Sequence, residues 1–484
     1  MKPREADRSS SQPICRAFQK RDRSSLTNPT MLFMNRSSPL EATTVDELGY
    51  DPQHPFTDDD ITIRNPTVGA QAQMRYNVTE RWTSQTAVSF SSASSEGYYS
   101  YLWDGAKSED TFSRFVSEQD ETTTGTAVQQ NLIGDVSILG TDNDVVAGIE
   151  FFHDRVSNQN SGFRGAGQET VPSSGSSNLS ESDIESALEG VSRNDQTTKQ
   201  SRYSAYASDV VTIIPELSVM ASLRLDHFAQ EGDVSTDEDD YNQTTLSPKF
   251  GVIVKPLPDR VSIFGNYMNG FQNVEPQTEE GKTKTFEPER ANQWEVGVKT
   301  KLFDDRLETT LSYYDITVSN KVRSSPDNPD VSIQDGEVQS RGVELSTTAA
   351  PVEGLQIIAG YSYNDSKNKK TDADFQGRRP EEAGPKYLVN GWARYRFSEG
   401  LLDGFGIGFG GNYASENVIM NQEDTGQFAL DSYTVFNASV SYETGSYRID
   451  LKVDNLTDKE YYKGWKTVNP QAPRSVKASA SYSF

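Results

Sequence analysis

The chain ends in Ser475-Val476-Lys477-Ala478-Ser479-Ala480-Ser481-Tyr482-Ser483-Phe484. Val476, Ala478, Ala480, Tyr482 and Phe484 fall on one side of this stretch, and Ser475, Lys477, Ser479, Ser481 and Ser483 on the other. Successive side chains of an extended strand point to opposite faces, so one face here is apolar and the other wet. The same period recurs upstream. Tyr447, Ile449, Leu451 and Val453 alternate with Arg448, Asp450, Lys452 and Asp454. Leu217, Val219, Ala221, Leu223 and Leu225 alternate with Ser218, Met220, Ser222, Arg224 and Asp226, and Phe405, Ile407 and Phe409 are interleaved with glycines. A one-sided soluble sheet shows such alternation too. Three features favour a membrane wall. The segments recur roughly every 20 residues from about residue 67 onward. They are about 10 residues long, enough for a tilted strand to cross a bilayer. Their polar face carries full charges, which suits a water-filled lumen.

The connections alternate in length. Glu443–Ser446, Ser398–Gly404, Ala350–Gly354, Phe303–Asp305 and Pro256–Asp259 are short. Thr457–Ala472, Tyr413–Gln427, Asn364–Lys386, Phe271–Pro288 and Ala229–Thr244 are long. Short turns on one rim and long loops on the other are the outer-membrane arrangement. The longest excursion, Ser157–Thr198, is rich in Ser, Gly and Asn and reads as a surface loop with one helical turn near Ser182–Leu188.

Composition narrows the class. Only 34% of the 484 residues are apolar, which leaves little for a conventional dry core. Yet 22 Tyr, 22 Phe and 5 Trp are too many aromatics for a disordered coil. A net charge of −25 argues against nucleic acid as a partner. One cysteine, Cys15, permits no disulfide framework, and His54, His153 and His227 share no metal-ligand spacing. No run approaches the roughly 18 apolar residues of a transmembrane helix, so a membrane span has to be a closed β-barrel. The expected fold is all-β: a transmembrane antiparallel barrel of about 19–22 strands with short periplasmic turns and long extracellular loops. Residues 1–60 show no strand periodicity and are expected to be irregular and disordered, with 61–484 as the barrel. Arg4, Arg8, Arg16, Lys20, Arg21 and Arg23 lie among serines with no apolar stretch of a signal peptide.

Six local patterns then fall in one order. They are Ser218–Asp226, ending Leu-Arg-Leu-Asp; Ser247-Pro248-Lys249-Phe250-Gly251; and Phe286-Glu287-Pro288-Glu289 followed by Glu295, Gly297 and Lys299. Next come Ser340-Arg341-Gly342-Val343-Glu344, Asn455–Tyr462, and Pro473-Arg474 leading to Tyr482-Ser483-Phe484. Together they resemble the siderophore-type barrel of TonB-dependent outer-membrane receptors over about 400 residues. The resemblance implies a receptor-transporter for a ferric siderophore or similar iron chelate, energised through TonB, in the outer-membrane lipid. It implies no enzymatic activity and no bound cofactor. It also implies that Tyr482 and Phe484 form the signal read by the outer-membrane assembly machinery. The family's N-terminal plug and TonB-engaging segment have no counterpart before residue 67, so the expectation is a barrel without them, and a passive pore is the second reading.

The motif residues have physical roles. Asn455 and Asp458 turn the chain as it leaves a strand. Gly297 and Gly342 relieve crowding in curved strands. Glu289 belongs to the same signature, and Glu295, Lys299, Arg341 and Glu344 are expected to face the lumen as wall charges. For substrate the loop candidates are the cluster Tyr98, Tyr99, Tyr101 and Trp103, then Phe163 and Arg164, Phe271, Arg378 and Arg379, and Tyr461, Tyr462 and Trp465. Aromatics and arginines would grip an anionic chelate by stacking and charge. Each taken alone also reads as a rim anchor at the membrane interface. A membrane-bound enzyme is a third reading, for which no Ser/His/Asp set is arranged.

Overall fold

The computed structural model describes residues 14–21, 26–27, 31–34, 42–52, 56–104, 111–138, 140–171, 179–232, 240–279, 282–325, 331–423 and 426–483. Among them a 24-stranded sheet dominates, and eighteen of its strands follow one another as a wall. They are β1 Ile14–Arg21, β2 Thr67–Asn77, β3 Trp82–Trp103, β4 Thr111–Ile138, β5 Thr141–Asn158 and β6 Gln196–Ile214. Then come β7 Leu217–Gly232, β8 Tyr241–Leu257, β9 Val261–Gln272, β10 Glu289–Leu302, β11 Leu307–Ser324 and β12 Ser332–Ala349. The last are β13 Leu355–Lys370, β14 Tyr387–Arg396, β15 Phe405–Ala414, β16 Tyr433–Thr444, β17 Tyr447–Asp454 and β18 Ser475–Tyr482. Each pairs antiparallel with the next, from Ile14↔Gln73 to Tyr447↔Tyr482. Phe484 lies outside the described residues.

Connections between neighbours alternate as the sequence predicts. One rim carries tight turns such as Pro215-Glu216, Phe303–Arg306 and Gly445-Ser446. At Phe303, Asp304 and Asp305 the backbone is left-handed three times running, with φ of 57°, 56° and 63°. The other rim carries 159–195, 273–288, 371–386, 415–432 and 455–474. A helix at Glu181–Ala187, capped by Ser180, occupies the place of the predicted turn in the longest loop. Tight turns on one rim and long loops on the other are the arrangement expected of an outer-membrane barrel, and no helix among the described residues is long and apolar enough to cross a membrane.

The apolar strand face is exposed, as it must be where lipid replaces water. Ile149, Val296 and Ile449 are 62%, 58% and 56% accessible. The opposite face is a charge lattice. Arg202 and Arg224 both reach Glu150, at 3.2 and 3.6 Å, and Arg224 pairs with Asp226 at 2.9 Å. Arg448 meets Asp450 at 2.7 Å, while Lys452 and Lys477 share Asp454 at 2.6 and 2.9 Å.

One wall expectation fails on parity. Glu295, Lys299 and Glu344 line one cavity of about 580 Å³ on the polar face. Arg341 does not join them: three residues from Glu344, it falls on the other side of a period-two strand. It pairs with Asp315 at 2.9 Å, in register beside Tyr313↔Val343 and Leu311↔Leu345 on the apolar face. Trp294 is the cross-strand neighbour of Asp315, so the ion pair sits at the level of an aromatic anchor, where charge can reach water.

The strands differ greatly in height. β4 has 28 residues and β3 has 22, against 8 each in β17 and β18. At ~3.3 Å per residue, the upper halves of β3 and β4 stand well clear of a ~25 Å apolar band. Above the membrane a second, dry core forms. Leu32, Met34, Val45, Leu48, Tyr50 and Phe56 pack on Leu102 and Phe112, on Ile419, Met420, Phe428 and Leu430, and on Tyr462 and Val468. Met31–Phe33 runs parallel to β3 at Tyr101–Trp103 and antiparallel to Thr467-Val468, joining the first tall strand to the last long loop. So within the N-terminal stretch expected to be irregular, Ile14–Arg21 is a wall strand and Val45–Leu48 a helix capped by Thr44 and by Gly49 at φ 66°. Residues 1–13, 22–25, 28–30, 35–41 and 53–55 lie outside the described residues.

Candidate functional site: an aromatic cavity on the tall strands

The tops of β3 and β4 divide their aromatics by parity. Tyr99, Tyr101 and Trp103 share one face, while Tyr98 and Leu102 take the other. Tyr98 packs with Ile61, Val116, Leu179 and Ile184, and its hydroxyl donates to Glu185 at 3.4 Å. The four-residue cluster read from sequence is therefore split, with Tyr98 removed from it.

The remaining three line a cavity of about 700 Å³ with Phe33, Ile63, Ser95, Phe115, Gln119 and Phe163. Ring centroids are 5.4 Å apart for Tyr101–Phe115, 5.0 Å for Tyr101–Phe163, 4.7 Å for Phe33–Tyr101 and 5.9 Å for Trp103–Phe115. Such spacings are those of favourable aromatic pairs. The register of β3 against β4 is unbroken from Trp82↔Gly134 to Trp103↔Ser113. The cavity therefore continues the strand face that carries Gln85, Ser89 and Ser91 below, the polar one. Burial, then the neighbouring Tyr101, push the Tyr99 phenol up to about 12, so it stays a neutral hydrogen-bond donor.

Local chain geometry builds the lining. Gly97 has φ +131°, and a Cβ there would stand 2.1 Å from the Thr62 carbonyl oxygen; only glycine lets Thr62–Arg64 close onto β3 and bring in Ile63. Phe163 is presented by a loop pinned to β4. Glu118 N donates to Ser161 Oγ at 2.9 Å, Asp120 N to Asn160 Oδ1 at 2.6 Å, and Gln159 N to the Asp120 carbonyl at 2.8 Å. Phe33, Ile63, Phe115 and Gln119 escaped the sequence reading. They come from three places in the chain, and only the run of aromatics in β3 flagged the site.

The other candidates lie elsewhere. Arg164 is opposite Val116 in the Val116↔Arg164 pair, so it sits on the face away from Phe115 and the cavity. Arg378 Nη1 donates to the carbonyls of Gln422 and Gly426, both at 2.9 Å, and its guanidinium covers Phe375 at 5.5 Å. Arg379 donates to the carbonyls of Asn364, Ala383, Gly384 and Pro385 and to Asn364 Oδ1, and burial holds its guanidinium below the ordinary value. Both arginines bind loop backbone. Phe271, the last residue but one of β9, lies opposite Arg290. Tyr461 packs on Tyr433 at 4.5 Å with the rings tilted, and Lys463 lies over both rings at 5.8 Å, in a separate cavity of about 520 Å³ that also takes Asp454 and Lys477. Tyr462 is buried against Tyr50 and donates to Glu460 at 2.6 Å. Trp465 is exposed, with Lys466 over its ring at 5.5 Å.

The motif residues have structural surroundings. A Cβ on Gly297 would meet Phe264 at 2.5 Å and the Leu311 carbonyl at 2.7 Å; one on Gly342 would meet the Tyr363 carbonyl at 2.2 Å. Glu295 accepts from Asn266 Nδ2 at 3.2 Å, and Glu289 opens β10 opposite Gln272. Asn455, left-handed at φ 52°, accepts from Lys459 N at 2.8 Å and donates to the carbonyls of Lys459 and Ala472 at 2.8 and 3.4 Å. Asp458 accepts from Arg474 N at 2.7 Å. The pair ties both ends of 455–474 together. Tyr482 packs on Tyr447 at 4.9 Å, rings tilted, on the apolar face. Among the described residues no group of three or more His, Cys, Asp or Glu is placed to hold a metal ion.

Known proteins resemble this chain in both sequence and fold. The family model described as TonB dependent receptor-like, beta-barrel matches residues 17–456. The ferrichrome outer membrane transporter/phage receptor of Escherichia coli K12 is 32% identical over 202 residues, 40% of this chain and 26% of that protein. The metal-pseudopaline receptor CntO of Pseudomonas aeruginosa is 26% identical over 446 residues, 88% of this chain and 60% of that protein. The chain thus spans less than two thirds of the length of these relatives. Among solved structures, the ferric preacinetobactin receptor BauA of Acinetobacter baumannii superposes with TM-score 0.76 at 17% identity, covering 94% of this chain and 67% of that one. The ferric-catecholate import receptor Fiu of E. coli K12 gives 0.75 at 19%, covering 90% and 66%. With the family model matched from its first wall strand to the end of β17, the chain belongs to the TonB-dependent receptors, as their outer-membrane β-barrel.

Proposed function

We propose that this barrel belongs to an outer-membrane receptor for a ferric siderophore or similar iron chelate, taken up with energy from TonB. The observation that carries the reading is the aromatic cavity of Tyr99, Tyr101, Trp103, Phe115 and Phe163, at the long-loop rim and continuous with the polar wall face. Its volume of about 700 Å³ suits one drug-sized ligand. Relatives named for ferrichrome, metal-pseudopaline and ferrioxamine B support the class of ligand. The role is binding and transport rather than catalysis. Residues 61–484 with β1 act as one barrel unit in lipid, and Tyr482 with Phe484 serves as the signal for assembly into the outer membrane.

The test is saturable quenching of tryptophan fluorescence by ferric chelates in the detergent-solubilised chain, with Trp103→Phe removing most of the signal. Uptake of the same chelate by cells carrying the gene at its natural locus should vanish without TonB. Ohmic conductance in planar bilayers with no chelate bound would replace this reading by a passive pore.

A further inference from the structure

We infer that the aromatic cavity selects ferric chelates that are neutral or positively charged and rejects trianionic ones. The inference deepens the receptor reading and rests on it. Every described residue of the lining is uncharged: Phe, Tyr, Trp and Ile surround the space, with Ser95 and Gln119 as the polar groups. Aromatic faces carry negative quadrupole density, which attracts cations and accepts apolar surface but gives nothing to an anion. A triply charged complex entering there would shed water without gaining a counter-charge, a costly exchange.

Among the described residues, the arginines read as ligand candidates are committed elsewhere. Arg378 and Arg379 are bound to loop carbonyls, and Arg164 is on the opposite strand face. Arg193, near the loop that presents Phe163, is ion-paired to Glu118 at 2.5 Å and to Asp120 at 3.8 Å. The field of the whole chain acts the same way, since a net charge of −25 repels an approaching anion.

Ligand chemistry supplies the contrast. Three singly charged hydroxamates exactly neutralise a ferric ion, whereas three doubly charged catecholates leave the complex a trianion. A hydroxamate complex offers carbonyl and amide oxygens to the phenols and to Gln119, and its hydrocarbon spacers to the rings.

The experiment uses the detergent-solubilised full chain and three probes. They are a neutral ferric trishydroxamate, an analogue bearing one free ammonium, and a ferric tris(catecholate). Affinities are read by equilibrium dialysis of radioactive iron at low and at physiological salt. Both hydroxamates should bind at least about tenfold tighter than the catecholate. Trp103→Ala should weaken both hydroxamates about tenfold, with the strand circular dichroism unchanged to show that the barrel is intact. Gln119→Arg should reverse the order, admitting the trianion and weakening the ammonium-bearing probe. Equal or tighter binding of the catecholate by the unaltered chain overturns the charge selection and leaves the receptor reading standing. If none of the three binds, the receptor reading falls and the inference with it.

Discussion

The wall and the crown above it use the same residue types in opposite ways. In the wall the large apolar side chains are the accessible ones, with Ile149 and Val296 more than half exposed. In the crown Leu32, Phe112, Ile419 and Phe428 are 0–1% accessible. The reason is the solvent each region meets. Lipid accepts the outer face of a strand, so the wall needs no internal apolar packing and fills its inner face with ion pairs. The crown stands in water, where only mutual burial hides Leu, Ile and Phe, so it builds a soluble-type core from segments at both ends of the chain. The two regions should fail differently when a residue is changed.

The largest effect is expected in the crown. Phe428→Ala should cost about 3–5 kcal/mol through lost burial and the cavity left behind. The loss should be local. Limited proteolysis should cut in 415–432 and 42–52 while the strand circular dichroism persists; simultaneous collapse of the wall would show that the two regions are one cooperative unit. Next is the wall, tested by two adjacent residues. Leu451→Arg puts a charge on the lipid face near mid-strand and should cost about 2–4 kcal/mol. Lys452→Ala, one residue on and facing the polar side, leaves Asp454 paired to Lys477 at 2.9 Å and should be nearly silent. Equal costs in a lipid-refolding titration would mean that the two faces have been assigned wrongly.

A third expectation separates the regions by pH. Tyr50 lies in the crown core, and burial, then Asp51, push its phenol from 10.0 up to about 12. Tyr462, 5.9 Å away, is raised as well, by burial first and then by Glu460. Below pH 10 folded and unfolded chains both hold the Tyr50 proton, and stability is complete. Above it the unfolded chain ionises while the folded crown does not, so stability falls until about pH 12, by about 2–3 kcal/mol for this group. Phenolate absorbance should therefore lag for these tyrosines, and alkali should expose 42–52 to protease before the wall unfolds. Tyr50→Phe should flatten that loss; an unchanged alkaline profile would remove Tyr50 from the account.

Strand periodicity made the wall legible because it is local: each residue's face follows from its neighbours. It misled where motif outweighed parity, as at Arg341, grouped with Glu344 although three residues apart, and at Tyr98, grouped with Tyr99 although adjacent. The crown had no such signal. Leu32 and Leu102 near one end of the sequence meet Ile419 and Val468 near the other, and the helix Val45–Leu48 draws its order from that meeting rather than from its own four residues. The arginines show a further limit. Composition offered Arg378 and Arg379 as ligands, but no sequence pattern tells which guanidinium will be taken up by its own loop's carbonyls.

Asn455 marks the boundary of the two regions and carries the smallest effect. It stands where β17 leaves the wall, is 2% accessible, and binds Lys459 and Ala472 at the two ends of the loop that supplies Tyr462 and Val468 to the crown. Its backbone is left-handed, which Asn tolerates better than Ala. Asn455→Ala should cost about 1–2 kcal/mol, from unpaired carbonyls and backbone strain. Asn455→Asp keeps the acceptor for Lys459 N but loses the donor to the carbonyls of Lys459 and Ala472, and should fall between. Asn455→Gly removes the strain but, like Ala, makes none of the side-chain hydrogen bonds, so the difference between Gly and Ala isolates the backbone term. If hydrogen exchange in 459–472 rises in all three variants while β17 and β18 stay protected, the crown is hinged on this one side chain. If β17 and β18 exchange faster as well, Asn455 holds the wall itself.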